Sequence, residues 1–278
     1  MNVAIAGLGL IGGSFAKAIA ARTRHRVTGY DISADVERRA LDAGLIDGAG
    51  LNTFDGADLT LIALYPGAAA EFMRVNARRF KPGSIVVDMC GVKRYIVKAA
   101  RGLFGEGVTY IGGHPMAGRE YSGFDASRTE LFDGASMILT PDETVGPDKL
   151  ERARNFFLAL GFGGVTLTTP DRHDEIIAFT SQMAHIVSSG YAQNPIARNF
   201  SGFSAGSFAD MTRVAKLDEN MWTELFLLNA DYLTEQLDIL VENLAGFRER
   251  IAARDAEGLK SMLRRGREIK EYLMESEK

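Results

Sequence analysis

His114 is the residue in this chain best placed to exchange a proton. It follows a short apolar run, Thr109 to Gly112, within the segment Gly112-Gly113-His114-Pro115-Met116-Ala117-Gly118-Arg119-Glu120. Glycines allow backbone to approach a ligand, and proline fixes the chain direction. An imidazole held there titrates near neutral pH and suits general acid–base chemistry; the alternative is a turn histidine bonded to backbone. Ser181 and His185 are four residues apart and share a face of an otherwise apolar helix, with Gln182 one step round. They either face a cleft or form a satisfied core pair. Arg213 follows a Gly/Ser-rich break and offers a bidentate fork for a carboxylate; its alternative is a surface ion pair. His173, in the first turn of its helix, reads as structural, and His25 as a surface residue. The four histidines and one cysteine show no ligand spacing such as H-x-x-x-H or C-x-x-C, so no metal is expected.

The elements that must position these residues begin at the N-terminus. Asn2 to Ala6 is a short, mostly apolar run, followed by Gly7-Leu8-Gly9-Leu10-Ile11-Gly12-Gly13 and an Ala-rich helical stretch. Strand, glycine turn and helix in that order give the G-x-G-x-x-G pattern its meaning. Gly7 takes the tight turn, Gly9 lets backbone approach a pyrophosphate, and Gly12 lets the helix pack against the strand. The helix N-terminus, reached through Leu8, Leu10 and Ile11, favours the anion. A second strand, Arg26 to Tyr30, ends in Asp31, where an acid suits the ribose hydroxyls of NAD and repels the extra phosphate of NADP. A tight turn without ligand, and an acid that merely ends a strand, are the alternatives.

After Asp31, Ala34 to Ala43 reads as helix, ended by Gly44. Leu59 to Leu64, Ser84 to Val87, Thr109 to Gly112, Ala135 to Leu139 and Val165 to Leu167 read as further strands. Continuous apolar strands alternating with helices mean a mostly parallel sheet covered on both faces. Ligands bind beyond the carboxyl ends of such strands. The loops there are Tyr65-Pro66, expected at the cofactor, Asp88 to Lys93, which contains Gly91, and the His114 segment. From Asp171 onward only helical periodicity remains. The expected architecture is α/β, with a dinucleotide-binding domain over 1–169 and an all-helical domain over 170–278.

One helix is expected from Asp171 to about Tyr191, another from Phe208 to Ala215, and a third from near Asp218 towards Ala253. In the third, Trp222, Leu225, Leu228, Tyr232, Leu237, Leu240, Leu244, Phe247 and Ile251 recur at three- and four-residue steps. Such a helix would span about 50 Å at ~1.5 Å per residue. That exceeds the ~27 Å width of a helical domain of this size, which points to a homodimer through these helices. The alternative is a break at Gly246. Bulk composition is ordinary: 278 residues, 46% hydrophobic, net charge −4. No basic surplus invites nucleic acid. No apolar run approaches a membrane span, and no signal peptide is evident. The single Cys90 excludes an intrachain disulfide and fits a reducing cytoplasm.

Read together, these segments resemble the prephenate dehydrogenase family over essentially the whole chain. The resemblance rests on Gly7-x-Gly9-x-x-Gly12-Gly13-Ser14, on Gly112-Gly113-His114-Pro115-Met116-Ala117-Gly118-x-Glu120-x-Ser122-Gly123 and on His173-Asp174. It continues through Ser181-x-x-x-His185 and Phe208-x-Asp210-x-Thr212-Arg213-x-Ala215, followed by Met221-Trp222. It implies oxidative decarboxylation of prephenate with NAD; arogenate, which carries an amine for the ketone, is the nearest alternative substrate. By the same resemblance His114 takes the hydroxyl proton as hydride leaves, and Arg213 binds a substrate carboxylate. Ser181 and His185 contact the substrate, Glu120 gates the pocket through an ionic network, and Trp222 supports its wall. Tyrosine, if it inhibits, should occupy the active site, and no appended regulatory domain is expected. Two positions depart from the family pattern. Gly91 stands where a serine commonly bonds the catalytic histidine, so Cys90 or a water substitutes, or the histidine is oriented differently. Gln182 stands where histidine is common, which bears on side-chain discrimination.

Overall fold

The computed structural model describes residues 1–119, 121–204 and 206–276. Eight strands form one sheet: β1 (Asn2–Ala6), β2 (Arg26–Tyr30), β3 (Gly48–Ala49), β4 (Leu59–Ile62), β5 (Ile85–Asp88), β6 (Thr109–Pro115), β7 (Ser136–Thr140) and β8 (Gly164–Leu167). Their order is β3-β2-β1-β4-β5-β6-β7-β8. All neighbours are parallel except β6 and β7, which pair antiparallel with His114 opposite Ile138. The expected mostly parallel sheet is therefore present. Alternation along each strand divides the core between its faces. Val3, Ile5, Leu59, Leu61, Ile85 and Val87 pack on one side. Ala4, Ala6, Ile62 and Val86 pack on the other. Burial of both faces explains why the central strands β1, β4 and β5 read as nearly continuous apolar runs.

Helices α1 (Leu10–Arg22), α2 (Ala34–Asp42), α3 (Pro66–Asn76), α4 (Arg94–Ala100) and α5 (Pro147–Ala159) connect the strands. Phe15 of α1 stacks on Phe132 with ring centroids 4.2 Å apart, and Phe132 stacks on Phe162 at 4.9 Å. This aromatic cluster fixes α1, and with it the glycine turn, against the sheet.

Three sequence expectations need correction. His114 lies inside β6 rather than in a loop after it. Gly112 and Gly113 permit this: a Cβ on Gly113 would press on the Asp88 carbonyl, Val87 and Met137, and one on Gly112 would overlap the Thr140 hydroxyl. These glycines serve close strand packing rather than ligand approach. The helix expected from Asp171 to Tyr191 contains a wide turn. It runs as α6 (Pro170–Ile177), a π-helical segment Ala178–Gln182, and α7 (Met183–Ala192); π-bulges commonly mark functional positions. A short α8 (Gly206–Thr212) follows.

The long third helix is broken at Asn229, not at Gly246, giving α9 (Glu219–Leu228) and α10 (Ala230–Ala252), with α11 (Ala256–Ser276) beyond. Asn229 takes φ −124° and ψ 27°, outside the helical region. Its buried side-chain amide donates to the Asp174 carbonyl at 2.9 Å and to Gln182 Oε1 at 2.8 Å. These long-range bonds hold Asn229 in a non-helical conformation. Gly246 is a packing notch instead, since a Cβ there would lie 3.3 Å from Met262 Cε on α11. The chain divides into two compact units, Met1–Asn229 and Ala230–Lys278. No helix among the described residues is long and apolar enough to cross a membrane.

Candidate active site

The glycine turn divides its labour. Gly7 adopts φ 84° and donates its N–H to the Tyr30 carbonyl at 2.7 Å. A Cβ on Gly12 would overlap the Gly7 carbonyl, so α1 packs directly on the turn. Gly9 caps α1, and a Cβ there would meet no protein atom within 4 Å. Packing therefore demands glycine at 7 and 12 but not at 9, where the open side is the mouth of a helix N-terminus. Asp31 accepts the Leu8 N–H at 2.8 Å and the Ser33 N–H at 2.9 Å. Leu8 is thus a structural member of the turn: its side chain is fully buried and its N–H is taken by Asp31. Tyr65 caps α3 and is half-exposed, while Pro66 is buried at the first helical position. The next amide, Gly67, donates to Glu224 of α9 at 2.6 Å.

His114 is held from behind. Its Nδ1 lies 2.8 Å from His173 Nε2, and His173 Nδ1 lies 2.7 Å from Asp174 Oδ1. Burial, then the neighbouring His173 and the Lys93 ammonium, hold the His114 imidazole well below its ordinary 6.5. Beneath it, Lys93 is fully buried and bonds Asp88 and the Gly113 carbonyl. Asp88 also accepts the Tyr110 hydroxyl at 2.6 Å and the Cys90 N–H at 2.9 Å. The Cys90 thiol turns away to the Leu64 carbonyl at 3.5 Å and does not stand in for the missing serine. Gly91 lines the site, and a Cβ there would lie 3.9 Å from His114 Nε2 and 3.3 Å from a Leu225 methyl. The histidine is oriented by His173 rather than from the Gly91 side.

A cavity of about 430 Å³ joins these parts. Leu10 and Ile11 of the glycine turn line one end, His114 and Gly91 the middle, and Ser181, His185, Arg213 and Trp222 the helical wall. His185 stacks on Trp222 with centroids 3.9 Å apart, and its Nδ1 donates to the Ser181 carbonyl at 2.8 Å. Gln182 touches the cavity, but its amide is spent elsewhere. Nε2 donates to the Leu225 carbonyl at 3.2 Å, and Oε1 accepts from Asn229. Gln182 is 1% exposed, so it anchors α9 instead of presenting a polar group to substrate. Glu120 lies outside the described residues.

Comparison with known proteins fits this arrangement. Residues 15–165 match the model for the prephenate dehydrogenase nucleotide-binding domain, and 169–265 match that family's dimerisation domain. This chain belongs to the prephenate dehydrogenase family. The cyclohexadienyl dehydrogenase of Zymomonas mobilis is 32% identical over 93% of this chain and 91% of its own. The prephenate dehydrogenase of Aquifex aeolicus, in complex with hydroxyphenyl propionate and NAD+, superposes with a TM-score of 0.85. It is 27% identical and covers 99% of this chain and 98% of its own. The arogenate dehydrogenase of Synechocystis gives 0.83 at 26% identity, covering 98% and 100%.

Within this family member, four site features escaped sequence reading. The His173–Asp174 pair was assigned structure only, although adjacent His and Asp at a helix start are a visible signal. The buried Lys93–Asp88 pair is readable only as two polar residues around a loop. Glu224 and Leu225 reach the site through α9, and nothing in their spacing announces a long-range contact.

Proposed function

We propose that this chain oxidises and decarboxylates prephenate to 4-hydroxyphenylpyruvate with NAD. The supporting observation is the single cavity that holds the glycine turn, His114 and the Ser181–His185–Arg213–Trp222 wall together. The cradle suits the dinucleotide: Gly9 leaves the helix mouth clear and Asp31 closes the turn at the end of β2. Gly7 to Gly12, with Tyr65 and Pro66 beside them, would hold NAD, which when bound would supply the acceptor for a hydride from the substrate ring. His114, neutral because burial and Lys93 disfavour its charge, withdraws the ring hydroxyl proton on Nε2. That proton loss strengthens hydride donation, and loss of the ring carboxylate as CO2 completes aromatisation. Arg213 anchors a carboxylate as a bidentate partner. Ser181 and His185 orient the substrate, and Trp222 holds the His185 ring in place. Gly91 leaves room beside the reacting hydroxyl, and the protein's part is orientation and charge neutralisation.

In this reading residues 1–169 bind the dinucleotide and 170–278 complete the substrate site and pair two copies. The match of 169–265 to a dimerisation domain supports a homodimer. So do the exposed Ile239, Val241, Leu244 and Ile251 of α10 and Leu263 and Ile269 of α11. The dimer would double the chain mass in light scattering. Tyrosine, which shares the product's ring, would compete at the same cavity. The deciding assay mixes protein, NAD and prephenate and follows reduced-cofactor absorbance; absence of reduction refutes the proposal. A parallel run with arogenate, the substrate named for the Synechocystis relative, gives the ratio of kcat/KM values that fixes the side chain.

A further inference from the structure

His173 and Asp174 do not line the cavity, yet their bonds decide which nitrogen of His114 faces it. Asp174 is fully buried and ringed by donors. Its Oδ1 accepts the Lys93 N–H at 2.7 Å, and its Oδ2 accepts the Arg94 N–H at 2.8 Å and Arg94 Nε at 3.4 Å. A carboxylate so placed accepts from His173 Nδ1, which must therefore carry a hydrogen. Burial, and after it the Lys93 ammonium, lower the His173 imidazole below 6.5, although Asp174 and Asp88 pull the other way. A neutral His173 with hydrogen on Nδ1 presents a bare Nε2. Its partner at 2.8 Å, His114 Nδ1, must then be the donor.

We propose that the Asp174–His173 pair is a positioning device that holds His114 as its Nδ1–H tautomer and leaves the Nε2 lone pair to receive the substrate hydroxyl proton. The inference rests on His114 being the base of the reaction proposed above. Both rings are held on regular structure. His114 is locked in β6 opposite Ile138, and His173 sits in the first turn of α6, with ring centroids 5.1 Å apart at 61°. The Nε2 of His114 is the nitrogen near Gly91, on the cavity side. When the hydroxyl proton moves from substrate oxygen to His114 Nε2, the Nδ1–H bond to His173 becomes charge-assisted and stronger. The carboxylate of Asp174 stands behind it to offset the new charge. The groups facing the two rings are Asp174 on α6, Lys93 and Arg94 at the start of α4, and Asp88 on β5. This arrangement explains how a chain with Gly91 in place of a hydroxyl keeps its histidine aimed.

Nitrogen NMR of protein labelled in its histidine rings tests the proposal without substrate. Only four histidines are present, so substituting each in turn assigns the spectrum. Near neutral pH the His114 ring is expected to show a protonated Nδ1 and a bare Nε2. His173→Leu is expected to shift it towards the Nε2–H tautomer and to lower kcat about 100-fold, the scale of lost general-base catalysis. KM for prephenate should stay within about threefold, because ground-state contacts are untouched. His173→Gln, which keeps an acceptor near the Nε2 position, is expected to recover about tenfold of the lost kcat. A wild-type His114 carrying its hydrogen on Nε2 overturns the inference, as does full kcat in His173→Leu. The wild-type spectrum decides even if the leucine variant fails to fold. The predicted tautomer in a protein that does not oxidise prephenate would refute the proposed reaction and leave the positioning role standing.

Discussion

Replacing Lys93 by methionine tests the foundation on which His114 rests. Lys93 is fully buried, and so is its partner Asp88. Its ammonium bonds Asp88 and the Gly113 carbonyl, one residue before the base. Methionine keeps most of the stem's volume, so packing loss is small. What remains is a buried carboxylate deprived of its counter-charge and a carbonyl deprived of its donor. Breaking a buried pair from one side costs about 3–5 kcal/mol. Asp88 keeps the Tyr110 hydroxyl and the Cys90 N–H as donors, which places the expectation at the lower end, ~3 kcal/mol. For a domain of this size that lowers Tm by roughly 6–12 °C at ~2–4 °C per kcal/mol. Asp88→Asn strands Lys93 at a comparable cost. If the two effects arise from one pair, Lys93→Met with Asp88→Asn should cost at least ~2 kcal/mol less than the sum of the singles. Urea unfolding of the four proteins measures this. A single-variant cost under ~1 kcal/mol, or strict additivity, would refute the claim that this buried pair supports the strand segment carrying His114.

Further expectations concern the site and its pH dependence. His114→Asn should leave NAD binding intact and lower kcat at least ~100-fold, by stopped-flow and cofactor fluorescence titration; an active variant removes the base. Arg213→Ala should act mainly on KM for prephenate, as lost carboxylate anchoring does, and an unchanged KM sinks that role. Gly91→Ser brings a Cβ within 3.3 Å of a Leu225 methyl and 3.9 Å of His114 Nε2. It should lower KM or raise kcat if the hydroxyl reaches substrate, whereas a loss of both would show that Leu225 owns the space. His25, His114 and His173 are all held below 6.5 in the folded chain. The unfolded chain therefore binds more protons just below that pH, and stability should fall as pH drops from about 6.5 towards 5. Melting curves across that range check this, and His114→Gln with His173→Gln should flatten the slope.

Legibility differed by the range of the interaction involved. The strands were readable because both sheet faces are buried, so Leu59–Ile62 and Ile85–Asp88 appear as apolar runs. β3 was not, since two residues, Gly48 and Ala49, carry no pattern. The glycine turn was read correctly in kind, but Gly112 and Gly113 were credited to a ligand when Asp88, Met137 and Thr140 require them. The periodicity of Trp222 to Ile251 continues through Asn229 and conceals the break. That break comes from hydrogen bonds to Asp174 and Gln182, residues far away in sequence. His114 was found from local composition. Its partner His173 reads only as structural from its place in the first turn of a helix, because a contact across 59 positions cannot be inferred from the adjacent His-Asp pair.

The crowding of bonds on Asp174 also limits how this molecule can move. One carboxylate joins the first turn of α6 to the first amides of α4 and to the histidine pair. A rigid-body hinge between the sheet half and the substrate helices would have to tear those bonds and disarm the base at once. Any opening of the cavity that keeps the base armed must therefore leave the contact between α6 and the start of α4 intact. The same constraint governs chimaeras: a helical half grafted from a relative will work only if it arrives with the Lys93–Arg94 corner that its aspartate was built to grip.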